Sequence, residues 1–103
     1  MDERFVEAVL SVVERIPAGR VTTYGAIADH VGAGGPRQVG RVMALYGGPV
    51  PWWRVVRADG APPACHEGAA VQKYLAEGTP MRAPGRLDLP RAFWSPSQSP
   101  GQS

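Results

Sequence analysis

The residues of this sequence best suited to covalent chemistry are Cys65 and His66, a thiol next to an imidazole in the stretch APPACHEG. A cysteine reacts as its thiolate, which a neighbouring base can generate. Adjacent side chains in an extended loop point to opposite sides, however, so this pair is poorly placed to share a proton. A metal site built from Cys65, His66 and His30 would lack a fourth ligand and any recognised spacing. We therefore predict no nucleophile, no metal site and no cofactor.

A second group of residues is suited to binding. The stretch GGPVPWWRVVRADG, residues 47–60, places Trp52 and Trp53 side by side. Residues 15–57 contain six arginines and one acidic residue, whereas the whole chain has a net charge of only +2. Arginine is suited to phosphate contacts and to stacking. The basic segment is either a solvated face or a surface for a polyanion such as nucleic acid, and its composition leaves both interpretations open.

The size and composition of the chain favour one globular domain. It has 103 residues, of which 44% are hydrophobic and 19% are charged, as is typical of globular proteins. No apolar run approaches the roughly 20 residues of a membrane-spanning helix, and the acidic N-terminus does not resemble a secretion signal. A single cysteine allows no internal disulfide. We expect a cytoplasmic protein without a membrane partner.

Three helices are predicted in the first half of the chain. Residues 2–15 carry apolar side chains at helical spacing, which indicates an amphipathic helix. Residues 24–31 form a second, short helix, for which Thr22 or Thr23 is the N-cap. A third helix over residues 36–46 begins with a proline after the glycine-rich turn GAGG.

The second and third helices form a helix-turn-helix pattern. Arg37, Gln38 and Arg41 lie near the start of the later helix, where such motifs contact DNA. Periodicity alone leaves DNA binding and simple helical packing as alternatives.

The rest of the chain is predicted to complete the domain. The stretch RVVRADGAP is typical of a short strand or hairpin with Asp59–Gly60 as its turn. Residues 67–78 form a helix with Val71, Tyr74 and Leu75 facing inward and a glycine as C-cap.

A terminal segment follows, whose Leu87, Leu89, Phe93 and Trp94 are expected to cover the core. The fold class is thus mainly α with a small β-hairpin. We predict one domain over residues 1–94 and a disordered tail over residues 95–103, SPSQSPGQS.

Three motifs, in the order IPAGRVTTYGAIADHVG, PRQVG and VPWWRVVRADG, resemble the DNA-binding domain of the O6-alkylguanine-DNA alkyltransferases. The family pattern is I-P-x-G-x-V-x-[TS]-Y-G-x-[IL]-A, then A-R-x-V-G, then P-C-H-R-V-[VI]. The resemblance extends from about residue 5 to residue 78. It implies a single winged-helix-like helix-turn-helix domain of the alkyltransferase C-terminal type.

The departures from the family pattern concern its chemistry. Trp52 replaces the cysteine that accepts the alkyl group, and Trp53 replaces the histidine that activates it. The glutamate that orients this histidine would fall at residues 72–74, Gln-Lys-Tyr, where no carboxylate stands. Alkyl transfer needs a thiolate and a group that lowers its pKa. The chain therefore resembles the alkyltransferase-like proteins, whose motif reads P-W-H-R or P-W-W-R, and we expect no enzymatic activity and no catalytic residue.

The resemblance also implies the DNA-binding residues. Arg37 matches the arginine that fills the gap left by a flipped base, and Tyr24 matches the tyrosine that pushes on the phosphate 3′ of the target nucleotide. Gln38 and Arg41 lie where groove and phosphate contacts would come from. The structural alternatives are a core position for Tyr24 and solvated helix positions for the other three.

An alkylguanine pocket is expected around the tryptophans, and its candidate residues are Trp52, Trp53, Arg54, Val55 and Arg57. Trp52 would form the pocket wall, Trp53 would pack behind it, and Arg54 would brace the loop by hydrogen bonds. Some alkyltransferase-like proteins place an arginine over the flipped base as a cation–π partner. The loop APPACHEG has no arginine, and Arg57 is the nearest substitute.

The implied function is recognition of damage: the protein binds double-stranded DNA containing O6-alkylguanine, flips the damaged nucleotide, and leaves its repair to nucleotide excision repair proteins. One alternative is a small helix-turn-helix module without lesion selectivity. Modules that read operators are usually dimers, whereas the absence of a dimerisation segment predicts a monomer here. The other alternative is a residual methyltransferase that uses Cys65.

Overall fold

Five α-helices and four short strands make up the part of the chain that the computed structural model describes, residues 2–63, 67–83 and 85–97. The helices are α1 (Glu3–Arg15), α2 (Tyr24–Val31), α3 (Pro36–Tyr46), α4 (Glu67–Glu77) and α5 (Leu89–Ala92). The strands are β1 (Thr22–Thr23), β2 (Val55–Val56), β3 (Met81–Ala83) and β4 (Arg86–Leu87), and a 3₁₀-helix spans Trp52–Arg54. None of the described helices is long and apolar enough to cross a membrane.

Helices α1, α2 and α3 form where the sequence predicts them, and local signals set their ends. Of the two threonines considered as N-cap of α2, Thr23 is the one that serves: its Oγ1 accepts a hydrogen bond from the Ala26 N–H at 3.1 Å. Gly32 ends α2 with a φ of 77°, a left-handed conformation that glycine adopts without strain. Pro36 opens α3, where its missing N–H costs nothing.

The core consists of two clusters that meet at β2. Val55 and Val56 are both fully buried, and successive residues of a strand point to opposite sides. Val55 packs among the residues of α1, α2 and α3, whereas Val56 packs against α4 and the C-terminal segment. The strand therefore joins the helix-turn-helix half of the molecule to the other half.

The predicted short strand forms as β2, and it pairs in parallel with β1. Thr22 lies opposite Val55 and Thr23 lies opposite Val56. The predicted turn does form, since the Gly60 N–H donates to the Arg57 carbonyl oxygen at 2.9 Å. The strand pairs with β1 rather than folding back on itself, because β1 offers it a partner that local sequence does not reveal. The antiparallel hairpin lies later in the chain, between β3 and β4.

Helix α4 buries a narrower face than the sequence predicts. Tyr74 is 1% exposed, but Leu75 is 70% exposed, so the inward assignment of Leu75 is wrong. Adjacent residues of a helix point about 100° apart, and α4 packs against the rest of the domain on the side of Ala70 and Tyr74 only.

The C-terminal segment closes the core beside β1. The backbone N–H of Trp94 donates to the Val21 carbonyl oxygen at 2.7 Å. The Trp94 side chain is 7% exposed, whereas Phe93 is 38% exposed and covers little of the core. Of the predicted tail, residues 95–97 are described, and Pro96 among them is buried. Residues 98–103 lie outside the described residues.

The contact between the 57–60 turn and the β3–β4 hairpin yields a prediction for Gly60. This residue has a φ of 85°, and a Cβ placed on it would lie 2.8 Å from the Leu87 carbonyl oxygen. We expect Gly60→Ala to lower the free energy of unfolding by about 1–3 kcal/mol through backbone strain alone, as measured by urea denaturation. Gly68→Ala is the matched control, because α4 leaves open space for a Cβ there. Equal effects of the two substitutions would contradict the role assigned to Gly60.

Candidate nucleic-acid interface

The start of α3 presents the polar side chains of the helix-turn-helix. Arg37 lies in its first turn and Arg41 one turn later, and both are exposed. Gln38 has a structural task, because its Oε1 accepts a hydrogen bond from the Gly35 N–H at 2.9 Å. This bond satisfies a backbone donor at the helix entrance, so the sequence prediction of Gln38 as a groove contact omitted its capping role.

A cavity of about 420 Å³ lies between the start of α2, the later turns of α3 and the tryptophan loop. Its lining residues are Tyr24, Gly40, Met43, Ala44, Gly47, Gly48, Trp52 and Pro63. Four of these eight residues are glycine or alanine, and their small size leaves the space open. A Cβ at Gly47 would lie 2.5 Å from the Met43 carbonyl oxygen, so this wall is made of backbone. We call this space the Trp52 cavity.

A second cavity of about 450 Å³ adjoins the first. Its lining includes Thr23, Pro36, Arg37, Arg57 and Ala58, and it shares Tyr24 and Gly40 with the Trp52 cavity. Tyr24 therefore lies between the two cavities, and Arg37 and Arg57 belong to the lining of the second. We call the second space the arginine cavity.

The two adjacent tryptophans have different surroundings. Their ring centres are 5.6 Å apart and the ring planes meet at 89°, an edge-to-face arrangement. Trp52 lines the cavity, whereas the Trp53 ring lies within cation–π distance of Lys73 (4.9 Å) and of Arg54 (5.4 Å). The Trp53 carbonyl oxygen accepts a hydrogen bond from the Tyr74 hydroxyl at 2.6 Å.

Arg54 holds the tryptophan loop to two other parts of the chain. Its Nη1 donates to the Ile16 carbonyl oxygen at 2.9 Å, and its Nε donates to Glu77 Oε1 at 3.1 Å. Its Nη2 forms an ion pair with Glu77 Oε2. This planar, two-point pairing is the strong form of an arginine–carboxylate contact, and it leaves Arg54 engaged inside the protein.

Glu77 corrects the position expected for an orienting carboxylate. Residues 72–74 hold none, as predicted, but Glu77, about one helical turn later, contacts the tryptophan loop through Arg54. Burial raises the pKa of Glu77, but the hydrogen bonds from Arg54 and from the Gly19 N–H outweigh it, so the pKa lies below its ordinary value of 4.5. Since α4 continues to residue 77, its last turn brings an ionised carboxylate to Arg54, the residue that follows Trp53.

The predicted pocket residues separate into three groups. Trp52 lines the Trp52 cavity, and Arg57 lines the arginine cavity. Trp53 and Arg54 pack behind the loop and line neither cavity. Val55 is fully buried in the first core cluster, so its assignment to the pocket is corrected. Cys65 and His66 lie outside the described residues, and no group of three potential metal ligands occurs among the residues that are described.

Sequence reasoning missed the residues of α3 and of the following turn that give the Trp52 cavity its size. The sequence analysis did not single out Met43, Ala44, Gly47 or Pro63. The available signal was the spacing of Gly40, Ala44 and Gly47, small residues three or four positions apart, which places them on one side of a helix.

The six arginines of the basic segment do not form one surface. The Arg15 guanidinium lies 5.9 Å from the centre of the Trp94 ring. Arg20 donates to the carbonyl oxygens of Ala92 (3.1 Å) and Phe93 (2.7 Å). Together with Arg54, these arginines stabilise the fold, and the exposed Arg37, Arg41 and Arg57 remain for an external anion.

Comparison with known proteins places this geometry in context. The profile described as "6-O-methylguanine DNA methyltransferase, DNA binding domain" matches residues 4–78. A DNA base-flipping protein of Escherichia coli is 35% identical over 99 residues, which are 91% of this chain and 77% of that protein. Alkyltransferase-like protein 1 of Schizosaccharomyces pombe is 35% identical over 107 residues, covering 93% of this chain and 98% of that protein.

A solved structure gives the same result for the fold. The crystal structure of S. pombe Atl1 in complex with damaged DNA containing O6-carboxymethylguanine superposes with a TM-score of 0.80 at 30% identity. The match covers 92% of this chain and 98% of that one. The mainly helical fold with a small strand pair, predicted from the sequence, is confirmed.

The Arg54–Glu77 pair predicts a pH dependence of stability. Because the pKa of Glu77 is lowered by folding, its contribution is complete above pH 4.5 and is lost as the pH falls below that value. Glu77→Gln should cost about 3 kcal/mol at neutral pH, the low end for breaking a buried pair. Urea denaturation at several pH values should show the two proteins converging in acid. Glu14→Gln, at an exposed carboxylate of α1, is the control, and a constant difference between wild type and Glu77→Gln at all pH values would refute the assignment.

Proposed function

This chain belongs to the family of the 6-O-methylguanine DNA methyltransferase DNA-binding domain, and we propose that it recognises O6-alkylguanine in duplex DNA by flipping the damaged nucleotide into the Trp52 cavity, without removing the alkyl group. One observation carries this proposal. An indole stands at the motif position where the family has its alkyl acceptor, and it lines a cavity that borders the helix-turn-helix.

The dimensions and lining of the Trp52 cavity suit a flipped base. Its volume of about 420 Å³ falls in the range of small-molecule sites. Flipping costs a few kcal/mol, and less for a damaged base that pairs badly. Stacking on an aromatic side chain such as Trp52 returns about 1–3 kcal/mol. Relatives named for DNA base flipping and for alkyltransferase likeness support the same mechanism.

Arg37 and Tyr24 are placed to support the DNA around the flipped nucleotide. Arg37 is exposed at the entrance of the arginine cavity, so its guanidinium can fill the gap that the base leaves in the duplex. Tyr24 lines both cavities, and the proposal gives it the role of pushing on the phosphate 3′ of the flipped nucleotide. Arg41, exposed one turn further along α3, adds a phosphate contact.

The absence of alkyl transfer follows from the chemistry of the side chains at the cavity. An indole carries no nucleophile that can accept an alkyl group. Trp53 stands where the family has the histidine that activates the acceptor, and an indole supplies no base there. A complex that cannot repair the lesion must leave it for other enzymes to remove, and we propose that nucleotide excision repair proteins do so. We also propose that the protein acts as a monomer in the cytoplasm.

Competition binding tests lesion recognition and separates the roles of Trp52 and Arg37. Wild type should bind a duplex with one O6-methylguanine more tightly than the same undamaged duplex at the same salt concentration. Trp52→Ala should reduce this preference by about 10-fold, because 10-fold corresponds to about 1.4 kcal/mol and lies within the range of roughly 1–3 kcal/mol for stacking. Arg37→Ala should weaken binding to both duplexes, because it hinders flipping itself.

Two results of this competition experiment would count against the proposal. Equal affinity of wild type for both duplexes would favour a helix-turn-helix module without lesion selectivity. An equal loss of preference in the two variants would contradict the separation of stacking from gap filling.

Restoring the acceptor tests the claim that chemistry, and not binding, is missing. In transfer, a thiolate sulfur bonds to the alkyl carbon while the bond from that carbon to guanine O6 breaks, and the base keeps the electron pair and takes up a proton. Trp52→Cys alone should accept no label from DNA carrying labelled O6-methylguanine, because Trp53 offers no base. Trp52→Cys combined with Trp53→His places an imidazole beside Glu77 and should become labelled. Label on the wild-type protein, at Cys65 or elsewhere, would instead reveal a residual methyltransferase.

A further inference from the structure

A group of charged side chains lies beyond the arginine cavity, on the turn after β2 and on the β3–β4 hairpin. Arg57 and Asp59 belong to the turn, and Arg86 begins β4. The Arg86 Nη1 lies 3.4 Å from the Asp59 carbonyl oxygen. We call these three residues the Arg57–Arg86 ridge.

The ridge is fixed to the domain through its backbone. The Leu87 N–H donates to the Gly60 carbonyl oxygen at 3.0 Å, and the Arg57 N–H donates to the Ala61 carbonyl oxygen at 3.0 Å. Asp59 Oδ1 accepts the Ala61 N–H at 3.0 Å, which closes the turn. Turn and hairpin therefore form one rigid edge, and rigid presentation lowers the entropy lost when a charged side chain binds an anion.

The charges of the ridge are turned outward. Arg57 and Arg86 are exposed. Among the described residues, the ion pair with atoms in contact is Arg54–Glu77, and it involves neither of these two arginines. The Ala61 N–H is the main cause of the lowered pKa of Asp59, and Arg86 and Arg57 add to it. Asp59 is thus an ionised group near both arginines, and it opposes part of their attraction for an anion.

Arg57 connects the ridge to the proposed DNA-binding surface. It lines the same cavity as Arg37 and Tyr24, so a strand that passes Arg37 on one side can meet Arg57 on the other. Arg86 lies in the β3–β4 hairpin and so extends the positive charge from the turn after β2 to the hairpin. Neighbouring phosphates along a strand form a row of the opposite charge.

We propose that the Arg57–Arg86 ridge is a second phosphate-contact surface, which extends the DNA footprint from α3 across the arginine cavity to the β3–β4 hairpin. The proposal rests on the proposed function only in that the protein binds DNA. The ridge contacts the backbone and reads no base, so it adds affinity equally to damaged and undamaged duplexes.

The salt dependence of binding tests the ridge. Dissociation constants of wild type, Arg57→Gln, Arg86→Gln and the double variant are measured for both duplexes at several KCl concentrations. Each lost phosphate contact should make the slope of log K against log salt shallower by about 0.9, and the double variant should lose about twice that. In Arg86→Gln, the ratio of the affinities for O6-methylguanine and undamaged DNA should stay at its wild-type value.

Two further variants make the result specific. Arg91→Gln removes one positive charge from an exposed side chain of α5 that lines neither cavity, and its slope should match wild type. Asp59→Asn keeps an oxygen for the Ala61 N–H and removes the opposing charge, so it should bind both duplexes several-fold more tightly. A variant that failed to fold would bind DNA more weakly, so tighter binding by Asp59→Asn cannot result from a loss of folding.

The outcomes separate this inference from the proposed function. Wild-type slopes in Arg57→Gln and Arg86→Gln, or weaker binding by Asp59→Asn, would overturn the ridge and leave lesion recognition untouched. A wild-type protein without lesion preference would overturn lesion recognition, while the slopes measured on undamaged DNA would still decide the ridge.

Discussion

The arrangement of this protein depends on one half-buried ion pair, Arg54–Glu77. Arg54 also bonds the Ile16 carbonyl oxygen, and Glu77 also accepts the Gly19 N–H at 3.2 Å. The pair thus ties together the end of α1, the tryptophan loop and the last turn of α4. Trp52 can face the cavity because the residues behind it are held by this network. Removing either partner would leave an unpaired charge in a half-buried position, which is costly.

Local sequence determined the helices, and tertiary contacts determined what the sequence analysis missed. The bounds of α2 and α3 follow from Thr23, the glycine turn and Pro36, signals that act within a few residues. The partner of β2 lies more than thirty residues away in β1, and no local pattern encodes that pairing. The burial of Val55 follows from it, since a strand between two core clusters has no solvent-facing side.

The candidate site was predicted only where a local motif identified its residues, and what depends on tertiary packing was missed. The motif identified Trp52, Arg37 and Tyr24, which the structure brings to two adjoining cavities. Glu77 was missed because its position relative to the loop depends on how α4 packs, and spacing along the chain does not give it. Charge counting had a similar weakness: Arg15, Arg20 and Arg54 look like the other arginines in the sequence, but each is engaged by an aromatic ring, a carbonyl oxygen or a carboxylate.

The wall of the Trp52 cavity has a consequence for the breadth of lesions that one protein can accommodate. This part of the wall consists of Gly40, Met43 and Ala44 of α3 and of Gly47 and Gly48 after it, so its one long side chain is Met43. Methionine is unbranched and polarizable, and it adapts to irregular neighbours. Under the proposal that a flipped base enters this cavity, the fit of short and long adducts depends mainly on the side chain of Met43.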